Sequence, residues 1–299
     1  MNNNNQAIRT YQKEFKGLLE AVFETRAYFG DFFGGGIEAL DGVQHNEEAF
    51  YVKTPDIPVV IGTYDTGPNV AFGTGTSSTN RFGERTEVIY TDAPVNYTWE
   101  WAFHEGLDRH TVNNDLEAAV ADRLDLQAQA KLNQFNAKHG SFISAVAGKE
   151  EEIAKAAGST SYSNDEVLDV FNRLSNYFVN IQAIGVRTAK VTPGLYNSIV
   201  DHPLTTSAKN SSADIDQNNI LTFKGFVIEE IPEALFQKDE VCYAYIQNVG
   251  KAFTGINTAR TVESEEFDGV ALQGAGKAGE YILPDNKKAV VKVKEVPAV

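Results

Sequence analysis

The chain has 299 residues, of which 41 are acidic and 26 are Lys or Arg, so its formal charge is −15. An apolar fraction of 42% is typical of folded globular proteins and excludes disordered and fibrous classes. The basic residues are scattered singly, which excludes a face that grips nucleic acid by its phosphates. No apolar run approaches the roughly 20 residues of a membrane helix. Cys242 is the single cysteine, and its apolar surroundings predict an inert core thiol.

The N-terminal third of the chain predicts a helix followed by strands and a long excursion. Apolar residues recur every three or four positions over residues 6–29, which predicts an amphipathic helix that ends in a glycine-rich turn. The β-branched run 57–64 and the segment 88–91 predict strands. Residues 73–79 are almost all Gly, Ser and Thr, which predicts an exposed tip between those strands. Large side chains alternate with small or polar ones in residues 95–103, which predicts one strand with an aromatic face.

A very long helix is predicted in the middle of the chain. Asn114 is a candidate N-cap with Glu117 at the third helical position, and an apolar stripe continues to about residue 147. Because the average globular helix has about 11–12 residues, a helix of this length predicts the backbone of a flattened or elongated domain. Gly140 is a candidate bend within it. Residues 148–163 predict a short, polar and partly helical connection.

A second domain is predicted to begin near Ser163. Ser163 and Glu166 form a capping pair for a helix with a regular apolar face. Residues 187–191 predict a strand, and a brief helix begins at Thr192. Residues 203–219 are rich in Ser, Thr, Asn and Asp, which is typical of a functional or mobile loop. Further strands are predicted over residues 220–223, 226–231, 241–246 and 288–293, with extended segments over 258–272.

One local pattern suggests an enzyme. His104, Glu105 and His110 look at first like the helix of a zinc protease. The spacing fails, because that motif needs two histidines four residues apart on one helical face, and these stand six apart. The sequence also lacks a phosphate-binding loop and a nucleophile elbow. We therefore expect no catalytic, cofactor-binding or metal-binding residues and no enzyme activity, and the metallohydrolase is kept as the weakest alternative.

An N-terminal arm, a glycine-tipped β excursion, a very long helix, a compact α/β domain with a polar loop and closing strands follow one another in this order. This order resembles the major capsid protein of tailed bacteriophages, whose Hong Kong-type shell fold is shared with encapsulins and the herpesvirus capsid floor. The resemblance implies an α+β fold with an arm, an extended β-hairpin or E-loop, a peripheral domain with a spine helix, and an axial α/β domain. The four parts are expected at residues 1–36, at 37–98, at 99–155 with 252–281, and at 156–251 with 282–299.

The resemblance implies a structural function. A head protein of this family self-assembles as hexamers and pentamers into an icosahedral shell that encloses the double-stranded DNA genome of a phage. The implied location is the virion capsid, assembled in the cytoplasm of a host bacterium. The implied partners are further copies of the chain, a portal protein and a decoration protein, with DNA enclosed without sequence-specific binding and with no membrane. The residues before the excursion leave no room for a fused scaffolding segment, so a separate scaffolding protein is expected.

Arg81, Phe82 and Arg85 are the predicted contacts between subunits. The two arginines are the only basic residues near the tip of the excursion, where they would meet acidic patches on adjacent subunits. Some family members crosslink a lysine to a neighbour, but Lys53 lies near the base of the excursion, so no such crosslink is expected. An encapsulin-type compartment, which would hold a protein cargo instead of DNA, is the main alternative function.

Overall fold

The computed structural model describes residues 26–35, 37–39, 47–67, 81–82, 86–112, 116–207 and 217–298. These residues form two compact units. The smaller unit contains the described residues between 47 and 97, and the larger contains 26–39 and 98–298. Most of the helix predicted over 6–29, the Asn114 cap and the tip at 73–79 lie outside the described residues. Residues 26–29 lie in an irregular segment and a turn rather than in the helix that was predicted to end there.

The described chain mixes helices and strands, which confirms the predicted α+β class. Its elements in chain order are β1 (Ile37–Ala39), β2 (Glu48–Pro55), β3 (Tyr90–Asn96), β4 (Trp99–Asp108), α1 (Leu116–Val146), β5 (Lys149–Lys155), α2 (Asn164–Asn180), β6 (Arg187–Val191), α3 (Pro193–Val200), α4 (Pro203–Ser207), β7 (Thr222–Phe223), β8 (Phe226–Glu230), β9 (Glu240–Ile246), β10 (Gly250–Glu263), β11 (Gly269–Ile282) and β12 (Val290–Pro297). None of the described helices is both long enough and apolar enough to cross a membrane.

A six-stranded mixed sheet with the order β5-β12-β9-β6-β8-β7 lies at the centre of the larger unit. β9 is antiparallel to both of its neighbours, β12 and β6, whereas β5 is parallel to β12 and β8 is parallel to β6. Every residue of β9 is buried, which is why its sequence after Glu240 is a continuous apolar run instead of an alternating one. Cys242 on β9 is fully buried, and burial raises the pKa of its thiol, as expected of an inert core cysteine.

Different elements cover the two faces of this sheet. On one face, Phe171 of α2 and Leu195 of α3 belong to a buried cluster with residues of β6, β8 and β9. On the other face, a second cluster includes Tyr245 of β9, Ile143 of α1 and Phe32 from the segment 26–35. The Phe32 and Tyr245 rings meet edge to face with centroids 4.9 Å apart, an arrangement that aromatic pairs favour. The sheet is therefore the middle layer of three.

The predicted start and buried face of α2 are confirmed. The Ser163 side chain accepts a hydrogen bond from the backbone N–H of Glu166 at 3.3 Å, which satisfies one of the free donors at a helix N-terminus. The predicted face is buried at Val167, Phe171, Leu174 and Phe178.

The polar connection predicted over 148–163 is wrong in its first half, which forms the edge strand β5. Tertiary pairing overrides the weak local propensity of this charged segment. β12 lies parallel to it. Glu150 Oε2 of β5 forms ion pairs with Lys294 Nζ at 2.9 Å and with Lys292 Nζ at 3.6 Å. Cross-strand pairs of opposite charge stabilise a sheet, and charged side chains on an edge strand discourage pairing with other chains.

A four-stranded sheet with the order β1-β10-β11-β4 packs against α1. The aromatic face predicted for residues 95–103 is present on β4, where Trp99 lies 4.7 Å from the Phe135 ring of α1. The prediction of one continuous strand is wrong, because residues 97–98 separate β3 from β4. The alternation continued across that break, so periodicity alone did not reveal it. The extended segments predicted over 258–272 are confirmed as parts of β10 and β11 on either side of a turn.

The long helix is confirmed as α1, but its buried side chains are concentrated in its C-terminal half. Leu124 belongs to the apolar stripe that predicted the buried face of this helix, but it is 38% exposed. Gly140 allows a close backbone approach, since a Cβ atom at this position would lie 2.3 Å from the carbonyl oxygen of Leu235, and the bend at this residue stays a prediction. The buried residues of α1 are Ala119, Phe135, Asn136, His139, Gly140, Ile143 and Ser144.

α1 also places a histidine beside a carboxylate in the interior. The His139 side chain is 9% exposed, and its Nε2 lies 3.6 Å from Glu280 Oε1 of β11. Glu280 accepts hydrogen bonds from Trp99 Nε1 and Thr98 Oγ1, each at 3.0 Å, and the Phe33 ring lies 4.4 Å from the imidazole. Burial lowers the pKa of His139 from 6.5 to about 4 and raises the pKa of Glu280.

His139 should make the chain less stable in mild acid. The unfolded chain protonates this histidine near pH 6.5, whereas the folded chain does so only near pH 4. Because the unfolded state binds more protons between these values, stability is lost as the pH falls through this window. By pH 4.5 the expected loss is about 2–3 kcal/mol, at about 1.4 kcal/mol per pKa unit.

The measurement is the urea unfolding free energy at pH 7 and pH 4.5 for the wild type and for His139→Gln. The raised pKa of Glu280 acts with the opposite sign and is present in both proteins, so the difference between them reports His139. Equal losses of stability in both proteins on acidification would show that His139 contributes nothing.

Gly140→Ala should destabilise the chain by about 1–3 kcal/mol, because the added methyl group meets the Leu235 backbone. Helix propensity alone predicts the opposite, a gain of about 1 kcal/mol. Thermal or urea unfolding distinguishes the two outcomes. Ala137→Gly at an exposed position of the same helix measures the propensity effect separately. A stabilised Gly140→Ala protein would contradict the close approach.

Candidate functional site

A two-stranded antiparallel ribbon forms the regular part of the smaller unit. β2 and β3 pair from Glu48 opposite Asn96 to Pro55 opposite Tyr90. The backbone N–H of Tyr97 donates to the carbonyl of Glu47 at 3.0 Å and closes one end of the ribbon. Among the described residues of this unit only Ala49 and Val95 are buried. A two-stranded ribbon has no second layer to cover it and is marginally stable alone.

The strand predicted over 57–64 is wrong. Residues 56–67 have no regular structure, because Pro58 lacks an N–H donor and no strand among the described residues pairs with this segment. The excursion has two arms, the outgoing segment after β2 and the returning segment before β3. Two hydrogen bonds join them, from Asp56 N–H to the Ile89 carbonyl at 3.0 Å and from Ile89 N–H to Asp56 Oδ1 at 3.1 Å. The strand predicted over 88–91 begins at Tyr90.

A second set of hydrogen bonds lies further out along the excursion. Asp65 N–H donates to the Arg81 carbonyl at 3.0 Å, and Arg81 Nη1 donates to the Asp65 carbonyl at 2.9 Å. Asp65 Oδ1 also accepts from Gly67 N–H at 2.8 Å, an Asx-type turn. Arg81 therefore joins the two arms of the excursion through its own backbone and side chain.

The excursion exposes apolar side chains in series. Val59, Val60 and Ile61 are 93%, 84% and 92% exposed, and Phe82 is 84% exposed. The Phe82 ring lies 5.2 Å from the Tyr64 ring in an edge-to-face contact. We call Val59, Val60, Ile61, Tyr64 and Phe82 the exposed apolar set. Grouped exposed apolar side chains mark interaction sites, and full burial of one such side chain stabilises by about 1.5–3 kcal/mol.

Two of the three predicted contact residues are described. Arg81 is half-buried through its bonds to Asp65, and Phe82 belongs to the exposed apolar set. Arg85 lies outside the described residues. Sequence reasoning missed Val59, Val60 and Ile61 because it assigned them to a strand. The signal that could have found them is the pair of prolines at 55 and 58, which argues against a paired strand.

The candidate zinc residues do not converge. His104 and Glu105 are successive residues of β4, so their side chains lie on opposite faces of the sheet. Glu105 accepts from Arg123 Nε at 2.6 Å, and this hydrogen bond lowers the pKa of its carboxyl. His104 lies 3.2 Å from Gln273, and His110 follows in a turn. In the part of the chain that the structure describes, no group of three or more His, Cys, Asp and Glu residues could hold a metal ion.

Solved structures with a similar fold are phage capsid proteins. The capsid of the cyanophage P-SCSP1u matches with a TM-score of 0.66 and 10% identity over 92% of this chain and 90% of that chain. The mature capsid of bacteriophage PhiM1 matches with a TM-score of 0.66 and 12% identity over 93% and 89%. The capsid of Ralstonia phage GP4 matches with a TM-score of 0.57 and 11% identity over 92% of both chains.

These matches confirm the resemblance at the level of the fold, since they cover nearly the whole chain and the identities are low. No protein-family model matches the sequence, and no curated protein matches it. The chain therefore has the phage capsid fold without detectable sequence relatives in these two comparisons.

Replacing Val59, Val60 and Ile61 together by Ser should shift the melting temperature of the unassembled chain by less than about 4 °C, because each surface substitution costs less than about 0.5 kcal/mol. Val191→Ser is the contrasting variant, since Val191 is fully buried in β6 and its loss should cost at least about 2 kcal/mol. Differential scanning calorimetry measures both. A large drop in the triple variant would show that these side chains already stabilise their own subunit.

Proposed function

We propose that this chain is a major capsid protein, which assembles with copies of itself as hexamers and pentamers into an icosahedral shell around a double-stranded DNA genome. The observation that carries the proposal is the agreement of fold with phage capsid proteins over about nine-tenths of both chains. The exposed apolar set supports it independently, because such a surface beyond a two-stranded ribbon needs a partner.

In this proposal the smaller unit is the E-loop, and it lies across a neighbouring subunit. Burial of Val59, Val60 and Ile61 there would contribute about 1.5–3 kcal/mol for each side chain before the cost of ordering. Each subunit of a closed shell both gives and receives this contact, so modest contacts multiply around the shell. The neighbour would supply the second apolar layer that the ribbon lacks.

The larger unit supplies two further parts of the proposed subunit. We assign the four-stranded sheet with α1 to the peripheral domain and the six-stranded sheet with α2 and α3 to the axial domain. The segment 203–219 would then lie near the symmetry axis of a capsomer. Its first residues form the short helix α4, and residues 208–216 lie outside the described residues.

The charge of −15 is consistent with a container for DNA. A net negative protein repels phosphate and so holds an enclosed genome weakly. The proposed partners are a scaffolding protein, a portal protein and a decoration protein, and the proposed location is the virion capsid after assembly in the cytoplasm of a host bacterium. The proposed shell function assigns no catalytic role to any residue.

Electron microscopy of the purified chain, alone and co-expressed with a scaffolding protein, tests the proposal directly. We expect capsomers or closed shells. A monomer at all protein and salt concentrations, with and without scaffold, would contradict it. Shells that contain an enzyme cargo and no DNA when isolated from the native source would favour the encapsulin-type compartment.

Replacing Val59, Val60 and Ile61 by Ser should abolish assembly or raise the critical subunit concentration at least about tenfold, since three buried aliphatic side chains are lost from each contact. The control replaces the same residues conservatively, as Val59→Ile, Val60→Ile and Ile61→Val, and should assemble. Light scattering and microscopy report assembly, and circular dichroism verifies the fold. Normal assembly of the Ser variant would remove these residues from the interface.

Arg81→Glu combined with Arg85→Glu should block assembly and leave the circular dichroism of the subunit unchanged, because both charges would then repel an acidic neighbour. Arg81→Gln is the matched control, since its amide can still donate to the Asp65 carbonyl. Light scattering should show assembly for Arg81→Gln and none for the double Glu variant. Equal assembly of all three proteins would show that charge at these positions plays no role.

A further inference from the structure

A lysine is buried between two carboxylates in the larger unit. Lys190 lies on β6, near the middle of the six-stranded sheet, and its side chain is 2% exposed. Its Nζ is 3.2 Å from Asp31 Oδ1 and forms a closer ion pair with Glu229 Oε2. Taking an ammonium group out of water is costly unless partners compensate it closely. The two carboxylates are those partners, and they come from separate parts of the chain.

The surroundings of Lys190 are largely aromatic. Tyr243 of β9 and Glu229 of β8 are its register partners on the neighbouring strands, so all three side chains share one face of the sheet. This is the face that carries the buried cluster with Phe32 and Tyr245. Of the three charged side chains only Lys190 is buried, since Asp31 and Glu229 are 23% and 48% exposed. A buried ammonium is expensive in such surroundings, which favours a step that converts Lys190 into a neutral group.

Asp31 is fixed in place from both its backbone and its side chain. Its carbonyl accepts from Asn248 N–H at 2.9 Å, and the next carbonyl, of Phe32, accepts from Gly250 N–H at 3.1 Å. Tyr245 Oη donates to Asp31 Oδ1 at 2.9 Å. Tyr245 is fully buried, and burial raises its pKa, so the phenol retains its proton and remains a donor.

We propose that Lys190 and Asp31 form an intramolecular isopeptide bond and that Glu229 is the proton-transfer residue of this reaction. Lys190 Nζ gives a proton to Glu229, and its lone pair attacks Asp31 Cγ. The C–N bond forms, the bond from Cγ to Oδ2 breaks, and Oδ2 leaves as water with one proton returned by Glu229 and one from the attacking nitrogen. An ammonium and a carboxylate become a neutral amide and one water, and Glu229 ends unchanged.

The geometry supports each role. Tyr245 donates to Oδ1, the oxygen that gains negative charge when Cγ becomes tetrahedral. Glu229 contacts the reacting nitrogen and is 48% exposed, so it has access to water for proton exchange. Two groups held together by a fold react with effective concentrations of roughly 10⁵–10⁸ M when their alignment is good, which compensates for the poor reactivity of a carboxylate towards an amine.

The bond would tie the segment around Asp31 covalently to the central strand β6. Residues 26–35 otherwise remain on this sheet through the Phe32 cluster and a few hydrogen bonds. A covalent link would prevent force on the N-terminal part of the chain from peeling the segment away. This inference concerns a single chain and does not depend on the proposed shell.

Intact-mass spectrometry of the purified full-length chain under denaturing conditions tests the proposal. We expect the observed mass to lie below the sequence mass by one water molecule. Cyclisation of an aspartate also releases water, so digestion with trypsin must decide the site. The expected product joins peptide 27–53 to peptide 188–209, because the modified lysine resists cleavage. Wild type at the full sequence mass, or water loss without this linked pair, would overturn the proposal.

Two conservative variants test the residue roles. Lys190→Arg keeps the positive charge without the nucleophilic amine and should show the full sequence mass. Glu229→Gln keeps the size of the side chain without the proton acceptor and should yield less than about one tenth of the linked product, since general acid–base groups contribute about 10²–10⁴-fold. Circular dichroism verifies that each variant is folded. Undiminished linkage in Glu229→Gln, or water loss in Lys190→Arg at the same peptides, would contradict the assignment.

Discussion

The larger unit depends on one strand that is covered on both faces. All residues of β9 are buried, with Cys242 and Ala244 in the cluster under α2 and α3, and Tyr243 and Tyr245 in the cluster with Phe32 and Ile143. Since no side chain of β9 reaches water, both covering layers must be in place for the strand to be stable. α1 contributes to one of these layers, and its other contacts reach the four-stranded sheet. The position of the long helix is therefore set by β9 and β4 together.

The smaller unit lacks such a second layer. β2 and β3 satisfy each other's backbone groups, but only Ala49 and Val95 are buried among its described residues. Its apolar side chains are displayed instead of packed, and hydrogen bonds at Asp56 and Asp65 hold the arms together without covering them. A chain that builds one fully layered unit and one uncovered ribbon is suited to association with copies of itself. This contrast gives the capsid proposal a physical basis beyond likeness of fold.

Two groups of polar side chains lie where the segment 26–35 meets the rest of the larger unit. Phe33 packs on His139, which faces Glu280, and Asp31 lies on Lys190. Burial keeps His139 neutral near pH 7, whereas Lys190 is compensated by two carboxylates. An interior polar group that loses its partner costs more than the contact contributes when present. The two clusters therefore make the position of this segment specific.

Local sequence signals predict four elements correctly: the long helix α1, the capped helix α2, the buried strand β9 and the aromatic face of β4. Periodicity and capping act within a few residues of each position, so they can be read from one segment at a time. The order of these parts also led to the capsid fold and placed Phe82 on the excursion. The sequence patterns did not predict the break between β3 and β4 at 97–98, and they placed the buried face of α1 incorrectly.

Tertiary pairing determines where distant segments meet. The charged run 149–155 forms a strand because β12 pairs with it, and the β-branched run after Pro55 is irregular because no described strand pairs with it. Asp31 and Lys190 have no sequence relation that predicts their contact. In each case the stabilising free energy comes from a partner far along the chain, and a local pattern carries no information about that partner.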